Sequence, residues 1–451
     1  MTDAVHAAPL TETTGADAAV TEAPVAAQPP VTDAATPKGR QAAVLFVYFS
    51  ALLDIFALGI MIPVLPNLIK RFVGAGLSDA AATAQAAHYS MYFAVTWGVM
   101  QFFCGPVMGM LSDRFGRRPV LLISIFGLGV DYLFMAMAPS LAWLFVGRVI
   151  NGVTSASFST ANAYVADVTA PQDRAKAFGL MGSAFGIGFI VGPAIGGTLG
   201  QIDLRLPFYF SAGLALINWL YGFFVLPESL PKERRSPALN WRRANPIAAF
   251  GLLLEFPTLI GLSLVMVLFQ LAHNVFPSIF ILFVGHRWHW GPGIAGPMMM
   301  LTGVLSLLVQ IFVVGRVVKA LGERGALLIG LGCAAAAFLV YGLAPNWMIF
   351  LAASPLGALG GLIGPGAQSL MSRRVPGNQQ GRLQGVNSAF MGVCSIFGPV
   401  IYLASLSFAV QRETSVAPGL PILIAAGFCA AALVAAWFLA KPVADAEPSP
   451  S

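Results

Sequence analysis

Three ionisable side chains stand inside otherwise apolar stretches: Asp54 in "SALLDIFALGIMIPVLP", Asp131 in "LGLGVDYLFMAM" and Arg148 in "LFVGRVINGVTSA". A charge at the centre of a membrane helix costs roughly 2.5–3.5 kcal/mol on insertion scales, so each must be met by a partner, by water or by neutralisation. An arginine keeps its proton and needs a carboxylate, carbonyls or water. One arginine can offset one aspartate. The aspartate left over can gain and lose a proton, because burial disfavours its charged form. That is the chemistry of a buried acid that can take up and release a proton. The structural alternative uses the same residues as an ion pair between Arg148 and either acid, with a neutral carboxyl bonded between helices.

A second group of polar residues could hydrogen-bond a ligand. Gln270, His273 and Asn274 share "FQLAHNVFP", with Gln270 and Asn274 four apart on one helix face. Gln101 in "VMQFF" is similar. Each could equally be a capped polar group between helices. His286 and His289 flank Trp288 in what reads as an outer loop, an interfacial arrangement rather than a metal site. Cys104, Cys333, Cys394 and Cys429 lie in apolar stretches without metal-ligand or disulfide-framework spacing. No nucleophile–base pair, metal cluster or phosphate loop suggests an enzyme. A net charge of +6 without a basic tract gives no reason to expect nucleic acid as a partner.

The elements that position these residues follow from composition. Of 451 residues, 57% are hydrophobic and 10% charged, where a soluble domain carries roughly 25% charged residues. Lipid must therefore be the solvent for most of the chain. Twelve apolar stretches are each long enough to cross a bilayer as a helix. The expected class is an all-α integral membrane protein in two pseudosymmetric six-helix halves. Its expected divisions are a disordered tail over 1–40, a first half over 41–227, a loop with an interfacial helix over 228–256, a second half over 257–441 and a disordered tail over 442–451. With both termini in the cytoplasm, 19 of the 25 Lys and Arg fall inside and five outside, leaving Arg148 within a span. This bias fixes the expected orientation in the inner (plasma) membrane.

The connection between the second and third spans, "GMLSDRFGRRPVLL", packs Gly109, Asp113, Arg114, Gly116, Arg117 and Arg118 into a tight turn. Its glycines recur 206 residues later at Gly315 and Gly322. The same offset takes Gly179 to Gly385, Gly192 to Gly398 and Pro193 to Pro399. Five matches at one offset indicate a duplicated half, an arrangement that places a transport site near the midplane between the halves. The repeat is imperfect, since Asp113 maps onto Lys319.

These stretches resemble the major facilitator superfamily. The loop carries its signature, and "GLMGSAFGIGFIVGPAIGG", with Gly179, Gly188, Gly192, Pro193 and Gly197, is similar to the fifth-helix motif of its drug:proton antiporters. "LDIFALGIMIPVLP", "GVDYLFMAMAP", "YVADVTAPQDRAKAFG" and "QQGRLQGVNSA" extend the resemblance to the twelve-helix tetracycline-resistance exporters, over about residues 42–440. The resemblance implies a monomeric pump without a cofactor. It would expel a small amphiphilic drug in exchange for protons by alternating access, with Asp54, Asp131 and Arg148 in proton coupling and Asp113–Arg118 as a conformational gate. That loop could contact a helix end or an arginine across the halves. The chain departs from the pattern at Ala334, where the resemblance would put a ninth-span carboxylate. Magnesium is then expected only as a possible drug chelate. A metabolite carrier, or a non-transporting sensor on the same fold, is the alternative.

Overall fold

The computed structural model describes residues 37–154, 157–169, 173–236, 250–376, 379–412 and 417–440. Among these the regular structure is helical, with no strand. The twelve stretches become spans. The first is Pro37–Met61 continued by Leu65–Val73, the second Asp79–Phe115, the third Arg117–Ala136, and the fourth Leu141–Thr154 followed by Ser157–Val168. The fifth is Arg174–Ile202 and the sixth Leu206–Val225. In the second half, the seventh is Thr258–His273 with Val275–Trp288, the eighth Pro292–Phe312 and the ninth Val314–Leu343. The tenth is broken into Trp347–Ala352, Ser354–Ala358 and Ile363–Ser372; the eleventh is Gln380–Val410 and the twelfth Leu420–Leu439. Eleven are long and apolar enough to cross a membrane as single units, while the fourth contributes the short apolar Leu141–Thr154.

The exterior carries large apolar side chains, such as Phe224 at 77% exposure and Phe438 at 66%. In water such a surface would aggregate; against acyl chains it costs nothing. Helix-interior prolines (Pro106, Pro193, Pro297 and Pro399) are retained in continuous helices, as membrane helices allow.

The two halves meet along two seams: the fifth span against the eighth, and the second against the eleventh. The repeat is visible in the backbone. Gly116 and Gly322, 206 apart, have φ of +106° and +69° with ψ of 158° and 176°, a region open essentially to glycine. Gly116 lets the chain reverse between the second and third spans, and Gly322 breaks Val314–Leu343 in the same way, so that the ninth span proper begins after it. Pro193 and Pro399 likewise occupy matching places inside the fifth and eleventh spans.

One reading needs correction. His286 is not in a loop: it lies in the last turn of Val275–Trp288, and His289 ends that helix with a left-handed backbone at φ +56°. The helix runs on through Gly285, which membrane helices tolerate, and meets no proline before Pro292. Of the expected interfacial helix, the described part is the short Gly251–Glu255, with Leu252 buried and Leu254 outward; 237–249 lie outside the described residues, as do the tails at 1–36 and 441–451.

Candidate functional site

Asp131 is fully buried and Arg148 is 7% exposed, in adjacent third and fourth spans. Gly147 makes the approach possible, since a Cβ there would lie 2.8 Å from Asp131 Oδ1. The polar cluster has a definite order. Asn151 Nδ2 donates to Asp131 Oδ2 at 2.8 Å, and Trp97 Nε1 of the second span donates to Asn151 Oδ1 at 2.8 Å. The Arg148 guanidinium stands 5.7 Å from the Trp97 ring centre, and its Nη1 contacts Met61 Sδ of the first span at 3.9 Å. Arg148 and Asp131 interact electrostatically without closing an ion pair within 4.0 Å. Four spans thus converge on this cluster, inside one half.

Asp54 is half-buried on the first span, with one carboxylate oxygen enclosed. Together with Asp131 and Arg148 it lies within electrostatic range of the buried Tyr132 hydroxyl. The three charges singled out from sequence therefore share one neighbourhood. Asn151 and Trp97 were missed. The available signals were an asparagine three residues after Arg148, hence on its face, and an apolar-span indole whose N–H needs an acceptor.

The other polar candidates are dispersed. Gln101 lies half-buried on the second span, four residues beyond the Trp97 that serves the cluster. His273 is exposed and stacks near Phe269 at 5.7 Å between ring centres. Asn274 marks the break of the seventh span: its Nδ2 donates to the Gln270 carbonyl at 2.8 Å, and its Cβ packs against Gly398. The Asn274 amide is thus engaged by its own helix, and the side chain of Gln270 is separate from that bond.

The loop of Asp113–Arg118 contacts its own half. Asp113 pairs with Arg117 at 2.5 Å, and Arg117 also reaches Asp167 at 3.1 Å. Glu228 caps the third span, its Oε1 accepting from Arg117 N at 2.8 Å and Arg118 N at 3.4 Å, where carboxylate and helix dipole attract. Arg118 donates to the Phe223 carbonyl at 2.6 Å, and Ser236 N to the Asp113 carbonyl at 3.0 Å. Arg114 stacks on Phe115, and Gly109 has open space where a Cβ would be. Among the described residues the contact expected across the halves is not made: Asp113 is taken by Arg117, one helical turn away.

The glycines of the fifth span divide between two neighbours. Gly188, Gly192 and Gly196, at four-residue spacing, face the first span; a Cβ on Gly59 would stand 2.6 Å from the Gly188 carbonyl oxygen and 3.2 Å from Gly192 Cα. Gly197 faces the eighth span, where a Cβ would lie 3.0 Å from Gly296 Cα. Pro193 fills the first contact with its ring and offers its carbonyl to Gly296. Gly179 lies near the start of the same helix. This is close backbone packing of the kind small residues permit in membranes.

Ion pairs show where the halves touch. Asp79 of the second span meets His286 of the seventh at 3.0 Å, on the side opposite Asp113. On the Asp113 side, the described pairs Arg117–Asp167, Arg235–Glu228, Glu323–Arg373 and Arg382–Glu255 stay within one half or its adjoining part of the central loop, and none joins the two halves. The halves are therefore clamped on one face and unlinked by described ion pairs on the other.

A twelve-span bundle of two related halves, with charges sequestered in the first and a clamp on one face, defines a multi-pass membrane transporter and not an enzyme. The chain belongs to the Major Facilitator Superfamily, whose model matches residues 44–399 and 262–451. It is 38% identical over 363 residues to the tetracycline resistance protein, class C, of Escherichia coli, covering 80% of this chain and 89% of that one. It is 30% identical over 404 residues to the class H protein of Pasteurella multocida, covering 88% and 96%. Among solved structures, the nucleoside transporter NupG superposes with a TM-score of 0.71 at 16% identity, over 88% of this chain and all of that one. That last likeness speaks for the fold alone.

Proposed function

We propose that this transporter exports a small amphiphilic drug from the bacterial cytoplasm in exchange for protons, by alternating access of a site between its halves. The observation that carries the reading is Asp131, an acid with no exposed surface, beside Arg148 in an unclosed pair. Such an acid is stable in lipid only if its charge is offset or its proton returned, and the cluster leaves room for both states. Asp54 would serve beside it on the first span. The names of the tetracycline-resistance relatives support a drug as cargo.

The conformation supports a place in the cycle. The sequence assigns 19 of the 25 basic residues to the Asp113 side, which by the distribution of positive charge would be cytoplasmic, with both termini on it. The clamp at Asp79–His286 would then be external, which supports a state open inward, where an exporter would collect cargo. Breaking the Asp113–Arg117 pair and rejoining the loop to the other half would accompany outward opening. The chain would act as a monomer, with its halves at 41–227 and 257–441.

The identity of the drug is a second question. Ala334, where the family resemblance would put an acid, is 4% exposed and packs against the tenth span, with its Cβ 3.6 Å from where a Gly360 Cβ would be. A cargo carried as a magnesium chelate would find no carboxylate there. This favours an amphiphile taken without a bound metal, a metabolite included, over a chelated tetracycline.

Expression in a pump-deficient bacterium with a drug panel tests the proposal. Resistance to at least one compound should rise, collapse with a protonophore and vanish in the Asp54→Asn, Asp131→Asn double variant. A double variant equal to wild type would remove these acids from the mechanism. Tetracycline accumulation measured with and without magnesium separates the two cargo readings.

A further inference from the structure

We infer that Asn151, backed by the Trp97 indole, is a positioning residue for Asp131: it fixes one carboxylate oxygen as a pure acceptor, so that the transported proton lands on the other, Oδ1. This rests on the reading of Asp131 as a proton-coupling acid.

The argument begins with donor and acceptor types. An indole N–H can only donate, so the amide oxygen of Asn151 must face Trp97 and the amide nitrogen must face Asp131. The two 2.8 Å bonds agree with that single orientation. Asn151 is 2% exposed, so water does not compete for the amide. A side-chain NH2 presents only hydrogens; it can bond a carboxylate oxygen or the carbonyl oxygen of a carboxylic acid, but not a hydroxyl hydrogen. A carbonyl-type oxygen accepts that bond better than a hydroxyl oxygen does, so Oδ2 is favoured as the acceptor in both protonation states. Oδ1 is buried without a hydrogen-bond partner and lies over Gly147. That bare oxygen is where a proton can be placed without breaking a bond.

The same indole reaches the rest of the machine. Its face carries the Arg148 guanidinium while its edge holds Asn151. The next residue, Gly98, sits against the eleventh span of the other half: a Cβ there would lie 3.2 Å from Ile396 Cγ1 and 3.3 Å from the Ser395 carbonyl oxygen. Movement of the second span along the eleventh must therefore carry Trp97 with it. Through Asn151 it pulls on Asp131, and through the ring face on Arg148. Opening and closing of the halves is in this way tied to the proton affinity of one carboxyl group.

The test needs no knowledge of the cargo. The full-length protein in lipid is titrated by infrared difference spectroscopy, following the protonated-carboxyl band that disappears in Asp131→Asn. In Asn151→Leu the midpoint of that band should move to higher pH by about one to two units, the size of a lost hydrogen bond to a charged group, and its frequency should change as Oδ2 loses its donor. Trp97→Phe, which keeps a ring but no N–H and perturbs folding least, should move it in the same direction by less. The Asn151→Leu, Trp97→Phe pair should go no further than Asn151→Leu alone, because both act through one bond. An unmoved midpoint in both single variants, or additive shifts, overturns the inference while leaving Asp131 as the acid. A wild-type titration with no component lost in Asp131→Asn defeats the coupling reading itself.

Discussion

His286 Nδ1 lies 3.0 Å from one carboxylate oxygen of Asp79, while Lys70 Nζ reaches the other oxygen at 2.6 Å. Lys70 and Asp79 belong to the first half and His286 to the second. The triad therefore closes the outer face by binding across the boundary. Because Asp79 is about half exposed, the contact is weak: exposed pairs are worth roughly 0–1 kcal/mol. Asp79→Asn should raise the outward-open population by up to about fivefold, and His286→Gln should do the same. Maleimide labelling from outside of a cysteine placed by Gln201→Cys, in a background without the native cysteines, reads that population. Unchanged labelling in both variants would show that the closure lies elsewhere.

Gly296→Ala attacks the same closure by crowding. The added methyl would press on the Pro193 carbonyl and lie 3.0 Å from Gly197 Cα. Overpacking at about 1–3 kcal/mol should shift the equilibrium away from the outer-closed state by roughly 5- to 150-fold. Export should fall while membrane insertion stays normal, which immunoblotting of membranes against transport rate can establish. An export rate equal to wild type would mean that the seam opens more than these distances allow.

Gly116→Ala and Gly322→Ala should differ although the two glycines are repeat mates. Both variants force a side chain into a backbone region costing roughly 1–3 kcal/mol. At Gly116 the methyl also runs into the Glu228 carboxylate and comes 2.9 Å from Arg235, whereas nothing lies near Gly322. Gly116→Ala should lower the melting temperature in detergent more. Equal shifts would remove Glu228 from its role as the anchor of the third span.

Glu255 and Arg382 form a two-pronged pair at 2.7 Å for each contact, joining the short helix before the seventh span to the eleventh. The hydrogen bonds from Arg382 hold the Glu255 carboxyl below the usual glutamate range. A lowered acid stabilises the fold above its unfolded value and loses that contribution as pH falls through its folded value. The small difference in melting temperature between wild type and Glu255→Gln should thus be present at pH 7 and disappear in acid. A difference that grew on acidification would contradict the pairing.

Hydropathy alone marked the spans, because twelve apolar runs in a chain with 10% charged residues have nowhere to go but lipid. Asp54, Asp131 and Arg148 stood out for the same reason, since lipid makes a charge expensive and so informative. The 206-residue repeat foresaw the paired left-handed backbones at Gly116 and Gly322. What escaped notice depends on geometry between helices. Asn151 and Trp97 look like ordinary interior residues until the second and fourth spans are brought together. Glu228 read as one charge in a loop, and its capping of the third span required knowing that the end of the sixth span returns beside Arg117. Gly59 and Gly296 gave no sign by themselves, since their partners are backbone atoms on other spans.

Gly59 rests on Gly188 and Gly192 so closely that a side chain in its place would strike the fifth-span backbone. Two rods in backbone contact over about two turns resist sliding past one another and pivot as one lever. Its fulcrum is the bare crossing of Gly197 and Gly296, and Asp54, five residues before Gly59, rides on the moving arm. On the proposed cycle, a rotation at that crossing would swing this acid from one compartment's reach toward the other's, with no hinge needed inside the first span.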